Sequence, residues 1–307
     1  MKYLWTRRQF MTGIGLAALA TSLPAATLEQ VRLGVTTDEI DEDLEKAIAV
    51  LKEFKLRYAE VRNLWGKYNT AQPLEKIRDA RAMLDRSGIR TSVLGTGFFK
   101  VPLPPETPEG KAKLDEQWKM LDDALERAAI MGADRLRVFA FTFGKSQKTG
   151  TEAEYARIAE LLAEAARRAR AKKMLLAIEN VSGSFVSTGA DAARLLKLVK
   201  DDAVGLAWDP NNAGLSGEKP FPDGYRLLDP ARILHVHLRD FRHTADGKGE
   251  WCAVGEGEFD NLGQIRALLR DGYKGYFTLE THWRAPQGKE YATRTSLTAL
   301  LKVIEKV

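Results

Sequence analysis

The sequence predicts a single (β/α)8 barrel, and three observations lead there. From Val31 onward, apolar or alternating runs of strand length take turns with amphipathic runs of helical period, eight of each. Several helical runs close on glycine, the usual residue just past a helix end. No linker, low-complexity stretch or strong internal repeat divides the chain, and eight strand-helix units close a barrel, whereas an open doubly wound sheet more often has roughly five to seven strands.

The units follow in order. VRLGVT, from residue 31, precedes DEDLEKAIAVLKEF, whose acidic start and spaced apolar residues mark a helix. RYAEVRNLW from 57 precedes PLEKIRDARAMLDRSG, with proline in its first turn and glycine at its end. IRTSVLGTGF from 89 leads through the proline-rich loop 101–110 to KLDEQWKMLDDALERAAIMG; that loop reads equally as a lid and as plain surface. RLRVFAFT from 135 precedes EAEYARIAELLAEAARRARAKK, and KMLLAIENV from 173 precedes GADAARLLKLVK. VGLAWD from 204 is followed by PDGYRLLDPAR, ILHVHLRD from 233 by NLGQIRALLRDG, and GYFTLETHW from 275 by ATRTSLTALLKVIEKV.

The N-terminus differs in kind. TRRQF is followed by MTGIGLAALATSLPAA, short, modestly apolar, and free of acidic residues before Glu29. Residues 1–26 therefore read as a twin-arginine export signal, cleaved after Ala20 or Ala26, with the barrel over 27–307. The apolar part is shorter than the roughly 20 residues that a spanning helix needs. Export of this kind carries a folded protein, so the mature protein is expected in the periplasm or outside the cell, with no membrane span once the signal is gone.

Composition narrows the function. Of 307 residues, 44% are hydrophobic and 29% charged, ordinary for a globular protein. Removing Lys2, Arg7 and Arg8 takes the 47 basic residues to 44 against 42 acidic, a balance of +2 that offers no electrostatic footprint for nucleic acid. The single cysteine, Cys252, forms no internal disulfide and reads as an inert, partly buried thiol. Self-association into a homo-oligomer stays open.

In a (β/α)8 barrel the chemistry sits at the carboxyl ends of the strands. Four consecutive strands carry ligand-type residues there: Glu179 on the fifth, Asp209 on the sixth, His237 on the seventh and Glu280 on the eighth. Three carboxylates held together take up protons unless a cation sits among them, and oxygen ligands with one imidazole suit a single divalent ion, Mn2+ first, with Mg2+, Co2+ and Zn2+ as alternatives. The competing reading pairs these groups with Arg239 in rim salt bridges.

The motifs LAIEN, GLAWDPNN, HVHLRD, VGEGEFD and FTLETHW, in this order, resemble the xylose isomerase-like TIM barrel superfamily of sugar (phosphate) isomerases and epimerases, which also holds abasic-site endonucleases. The resemblance implies Glu179, Asp209, His237 and Glu280 as metal ligands, with Glu179 and Glu280 also the catalytic acid/base pair flanking a sugar substrate. It implies proton removal beside a carbonyl through an enediolate, ending as isomerisation, epimerisation or, in the alternative, as cleavage of a 3-oxo-glycoside; a non-catalytic sugar-binding protein is a further reading. Asn212 stands where several relatives have a histidine. That departure, with no histidines on strands two and three, speaks against the endonuclease. A free sugar is expected over a phosphorylated one, because sugar phosphates stay inside cells.

The remaining rim residues are softer expectations. Asn63, Asn212, Arg239, His243, His282 and Trp283 are candidates for substrate contact, with Trp65, Phe98 and Trp251 as further stacking faces. His235, one layer below His237, reads as an interior residue supporting a ligand. Glu60 reads as pairing with Arg57 or Arg62, and Asp260 as a helix cap.

Overall fold

The computed structural model describes residues 30–307; the segment read as an export signal lies outside the described residues. Eight strands, β1 (Leu33–Thr36), β2 (Tyr58–Val61), β3 (Arg90–Gly95), β4 (Arg135–Val138), β5 (Leu175–Glu179), β6 (Val204–Trp208), β7 (Ile233–Leu238) and β8 (Tyr276–Leu279), form one closed sheet. Every neighbouring pair is parallel, and β8 closes on β1 with Leu33 opposite Phe277. The predicted barrel is the observed one.

Period-two alternation divides each strand. Leu176 and Ile178 of β5, Leu206 and Trp208 of β6, Val236 and Leu238 of β7, and Phe277 and Leu279 of β8 belong to the buried apolar core. Their neighbours Glu179, Asp209, His235, His237 and Glu280 fall on the opposite side of the sheet. The outer layer is made of α1 (Leu44–Glu53), α2 (Leu74–Arg86), α3 (Pro108–Met131), α4 (Glu152–Ala171), α5 (Gly189–Leu198), α6 (Pro210–Leu215), α7 (Asn261–Arg270) and α8 (Lys289–Ile304). The longer helices turn an apolar face to the strands; in α4 that face is Tyr155, Ile158, Leu162, Ala165, Ala166 and Ala169, and each large side chain so buried contributes about 1.5–3 kcal/mol.

Local signals fix the helix ends. Thr107 caps α3, while Thr151 with Glu154 and Thr188 with Asp191 make capping boxes on α4 and α5. Asp260 caps α7 through the Gly263 N–H, as expected. Gly132 ends α3 at φ 68°, a conformation that costs a glycine little.

The sixth helix departs from expectation. PDGYRLLDPAR forms only short irregular turns, and the helix after β6 is PNNAGL, starting at Pro210. Asp209 caps that helix at once and Pro210 starts it, whereas Pro222, Gly224 and Pro230 break the later stretch. The 101–110 loop is fastened at both ends: Pro102 bridges Thr142, and Thr107 caps α3. Two small hairpins, 63–68 and 240–252, rise at the carboxyl end of the barrel.

Candidate active site

Because β5, β6, β7 and β8 are consecutive in the sheet, the ends of four neighbouring strands converge. One donor atom each from Glu179, Asp209, His237 and Glu280 lies within 4.8 Å of all the others, and all four residues are buried. His237 Nδ1 is 3.3 Å from Glu280 Oε2, 3.4 Å from Glu179 Oε1 and 3.7 Å from Asp209 Oδ2. Neither His237 Nδ1 nor Glu280 Oε2 has a hydrogen-bond partner. These two buried ligand-type atoms, facing each other and the oxygens of Glu179 and Asp209, fit a divalent cation, the donor set that the sequence singles out.

Each donor is held by its surroundings. Asp209 divides its oxygens: Oδ1 accepts the N–H of Asn211 (3.0 Å) and Asn212 (2.9 Å), leaving Oδ2 toward the cluster. Asn180 grips the Asp209 backbone, accepting its N–H and donating to its carbonyl, both at 2.8 Å. Arg239 Nη2 donates to Asp209 Oδ2 and lies 3.2 Å from Glu280 Oε2, so it shares those oxygens with any bound cation.

Below this layer Glu60 takes both histidines. Its Oε2 accepts from His235 Nε2 at 2.8 Å and His237 Nε2 at 3.0 Å. His235 is therefore the supporting interior residue expected, but Glu60 is not the partner of Arg62. Arg62 leaves β2 at the start of the 63–68 hairpin and turns to Asp38 Oδ2 (2.7 Å), Glu39 Oε1 (2.6 Å) and Glu280 Oε1 (2.6 Å).

The electrostatics keep the carboxylates ionised. Burial alone would raise Glu179, Asp209 and Glu280; Arg137 beside Glu179, Arg239 beside Asp209, and His282, His237 and Arg239 around Glu280 outweigh it and lower all three, Glu280 most. His237 is the converse: burial opposes its charge, but Glu60, Glu280 and the adjoining carboxylates raise it well above the ordinary imidazole value. A dication exchanging for that proton adds only one unit of charge to a balanced cluster.

Of the expected substrate contacts, Asn212, Arg239 and His282 reach the cluster. Asn212 Nδ2 donates to the Asn180 carbonyl (2.9 Å) and Asp209 Oδ2 (3.1 Å) and is 3.4 Å from Glu179 Oε1. His282 Nδ1 meets Arg239 Nη1 at 2.5 Å, and its ring lies 5.8 Å from Trp251. Trp251 in turn lies under the Arg239 guanidinium at 4.3 Å, an aromatic beside the cluster. Asn63 stands one link away, donating to Asp38 Oδ2 at 3.2 Å.

The other expected contacts lie outside the cluster. His243 sits exposed on the 240–252 hairpin, held by Glu258 at 3.0 Å, because the hairpin carries it outward past Phe241. Trp283, half-buried, makes its ring contact with Tyr291 of α8, 6.5 Å away. Phe98 is core, stacked on Phe99 at 3.8 Å. Cys252 is buried with its thiol pushed up to about 12 by burial, in keeping with an inert role.

Sequence reasoning passed over Asp38, Glu39, Arg137 and Lys100. Asp38 and Glu39 come from a single helical turn, Thr37–Ile40, directly after β1. Arg137 points its Nε to Glu179 Oε2 at 3.2 Å. Lys100 holds its ammonium 4.6 Å from the Phe139 ring centroid, and desolvation lowers its pKa. One signal was available: a charged residue in a buried strand, such as Arg137, must have a partner inside. Trp65, Phe99, Phe141 and His282, all just beyond strand ends, have positive φ, the backbone strain that collects at functional rims.

Comparison with known proteins agrees with this fold. Inosose dehydratase of Clostridium perfringens is 22% identical over 275 residues, 82% of this chain and 80% of that one. The crystal structure of the IOLI protein with a bound zinc atom superposes with a TM-score of 0.72 at 17% identity, covering 89% of this chain and 98% of that one. D-allulose 3-epimerase from Methylomonas sp. gives a TM-score of 0.68 at 18% identity, covering 91% and 98%. Among the described residues no helix is long and apolar enough to cross a membrane. The family model for the xylose isomerase-like TIM barrel matches residues 48–303, and the chain, an enzyme, belongs to that family.

Proposed function

We propose that this enzyme isomerises or epimerises a free sugar or sugar derivative by taking a proton from the carbon next to a carbonyl. The observation that carries the reading is the convergence of Glu179, Asp209, His237 and Glu280 within 4.8 Å. A divalent ion held by these four would supply positive charge against the carbonyl oxygen as negative charge develops there. Glu179 and Glu280 project from strands on either side of β6 and β7, so one takes the proton and the other returns it from the opposite face. Arg239, His282 and Asn212 hold substrate oxygens, and Trp251 covers the ring.

A second outcome of the same first step is elimination, in which the carbanion expels a β-oxygen and leaves an unsaturated ketone. It is favoured by one observation, the inosose dehydratase of Clostridium perfringens matching over 82% of this chain. Mn2+ is our first choice of ion and Zn2+, named with the IOLI protein, the second. The test is a panel of ketoses, cyclic polyhydroxyketones and 3-oxo-glycosides in D2O, followed by NMR. Deuterated isomer supports the first outcome, and unsaturated ketone with released water or aglycone supports the second. Neither exchange nor product from any of them, with metal-replete protein, overturns both.

We also propose that residues 1–26 direct export. Fused to a folded reporter they should carry it into the periplasm, and Arg7→Lys with Arg8→Lys should stop it; retention of the unaltered fusion in the cytoplasm refutes the signal.

A further inference from the structure

We propose that Glu60 is a positioning residue for the cation site, fixing the face that His237 presents to it; this rests on the metal reading above. Glu60, His235 and His237 are all 0% exposed. One carboxylate oxygen, Oε2, serves both rings, with the His235 and His237 planes at 88° and their centroids 5.0 Å apart. An ionised carboxylate only accepts, so each imidazole donates its Nε2–H.

That assignment settles the chemistry of His237. With the proton on Nε2 and given to Glu60, a neutral ring keeps its lone pair on Nδ1, and Nδ1 is the atom that faces Glu179, Asp209 and Glu280. The opposite tautomer would aim a lone pair at an anion and an N–H at the place of a cation. The negative charge behind the ring also makes Nδ1 a better donor. His235 braces the carboxylate from below. Arg137, 3.8 Å from Glu60 Oε1 and 3.2 Å from Glu179 Oε2, links this layer to a ligand on β5. A buried carboxylate costs stability unless it is paired, and these partners all lead to the ligand set.

The test measures Zn2+ affinity by competition with a chromogenic chelator for the wild type, Glu60→Gln and Glu60→Leu, with near-UV circular dichroism to confirm folding. Glu60→Gln keeps an accepting oxygen but no charge, and should bind about 10-fold more weakly; Glu60→Leu keeps neither and should bind about 100-fold more weakly. Long-range 15N NMR of the Zn2+-loaded wild type should show His237 ligated through Nδ1 with its proton on Nε2. A merely structural role would lower the melting temperature and leave the affinity of the folded protein unmoved. Folded variants within twofold of the wild type overturn the proposal, as does ligation through Nε2, which decides the matter alone if both variants fail to fold. If the wild type binds no Zn2+ or Mn2+, the metal reading falls and this proposal with it; if the wild type binds and the variants match it, only this proposal falls.

Discussion

Replacing Glu280 by glutamine separates catalysis from architecture. Glu280 is 1% exposed and its side chain touches four groups: Arg62 Nη1 (2.6 Å), Arg239 Nη2 (3.2 Å), His237 Nδ1 (3.3 Å) and His282 Nε2 (3.5 Å). Stranding a buried charge costs about 3–5 kcal/mol. Here Arg62 keeps Asp38 and Glu39, and Arg239 keeps Asp209, so neither is left alone. We therefore expect a loss of only about 1–2 kcal/mol, a fall of several degrees in Tm for a domain of this size. Catalysis should suffer far more: a lost general base costs about 10²–10⁴ in rate, or roughly 2.7–5.4 kcal/mol, and the weaker ligand adds to it. The assay is deuterium exchange from solvent into substrate at saturating metal, read by NMR beside thermal melting. Exchange at the wild-type rate in Glu280→Gln would refute the acid/base assignment, even if the Tm fell as expected.

Chelation gives a second expectation: an ion at about 100 times its Kd stabilises the fold by about 2.7 kcal/mol, so EDTA should lower the Tm reversibly, and an unchanged melt after full metal removal counts against the site. A third concerns protons. The folded value of His237 is raised, so in the metal-free protein its charge stabilises the fold below pH 6.5 and that contribution is lost as pH rises through the raised value. Binding must displace this proton, so calorimetry at pH 7 in buffers of different ionisation enthalpy should show about one proton released per ion; none released would place the ion elsewhere. Glu179, Asp209 and Glu280 are lowered, so their contribution is present above the unfolded carboxylate values and disappears as pH falls below about 4, and acid should unfold the protein there. Lys100→Met should raise KM about tenfold with little change in Tm if the ammonium meets substrate; an unchanged KM removes it from the site.

The barrel was legible because alternation along β5 to β8 separates Leu176, Leu206, Val236 and Phe277 from the functional side without reference to tertiary structure. That Glu179, Asp209, His237 and Glu280 come together was legible for the same reason: each lies at the carboxyl end of a strand, and polar groups at buried strand ends need a partner. What escaped was set by chain direction beyond the strands. Glu60 and Arg62 share a parity, yet Arg62 has left the sheet and belongs to the Asp38 and Glu39 turn, which reads in sequence as the start of a helix. His243 looked like a rim residue by its distance from a strand end, and the 240–252 hairpin carries it to an exposed position beside Glu258. The early helix at Pro210 was hidden because its cap, Asp209, already had a role as a donor.

Asp240 carries one more consequence. Its oxygens accept the backbone N–H groups of Phe241, Gly255, Gly257 and Phe259, and a Cβ at residue 257 would collide with its carboxylate. The 240–252 hairpin and the 253–259 loop are thereby stitched into one cassette that presents Trp251 while contributing none of the four donors. Selection can therefore exchange that cassette wholesale, retuning which molecules are admitted while the reaction beneath stays constant.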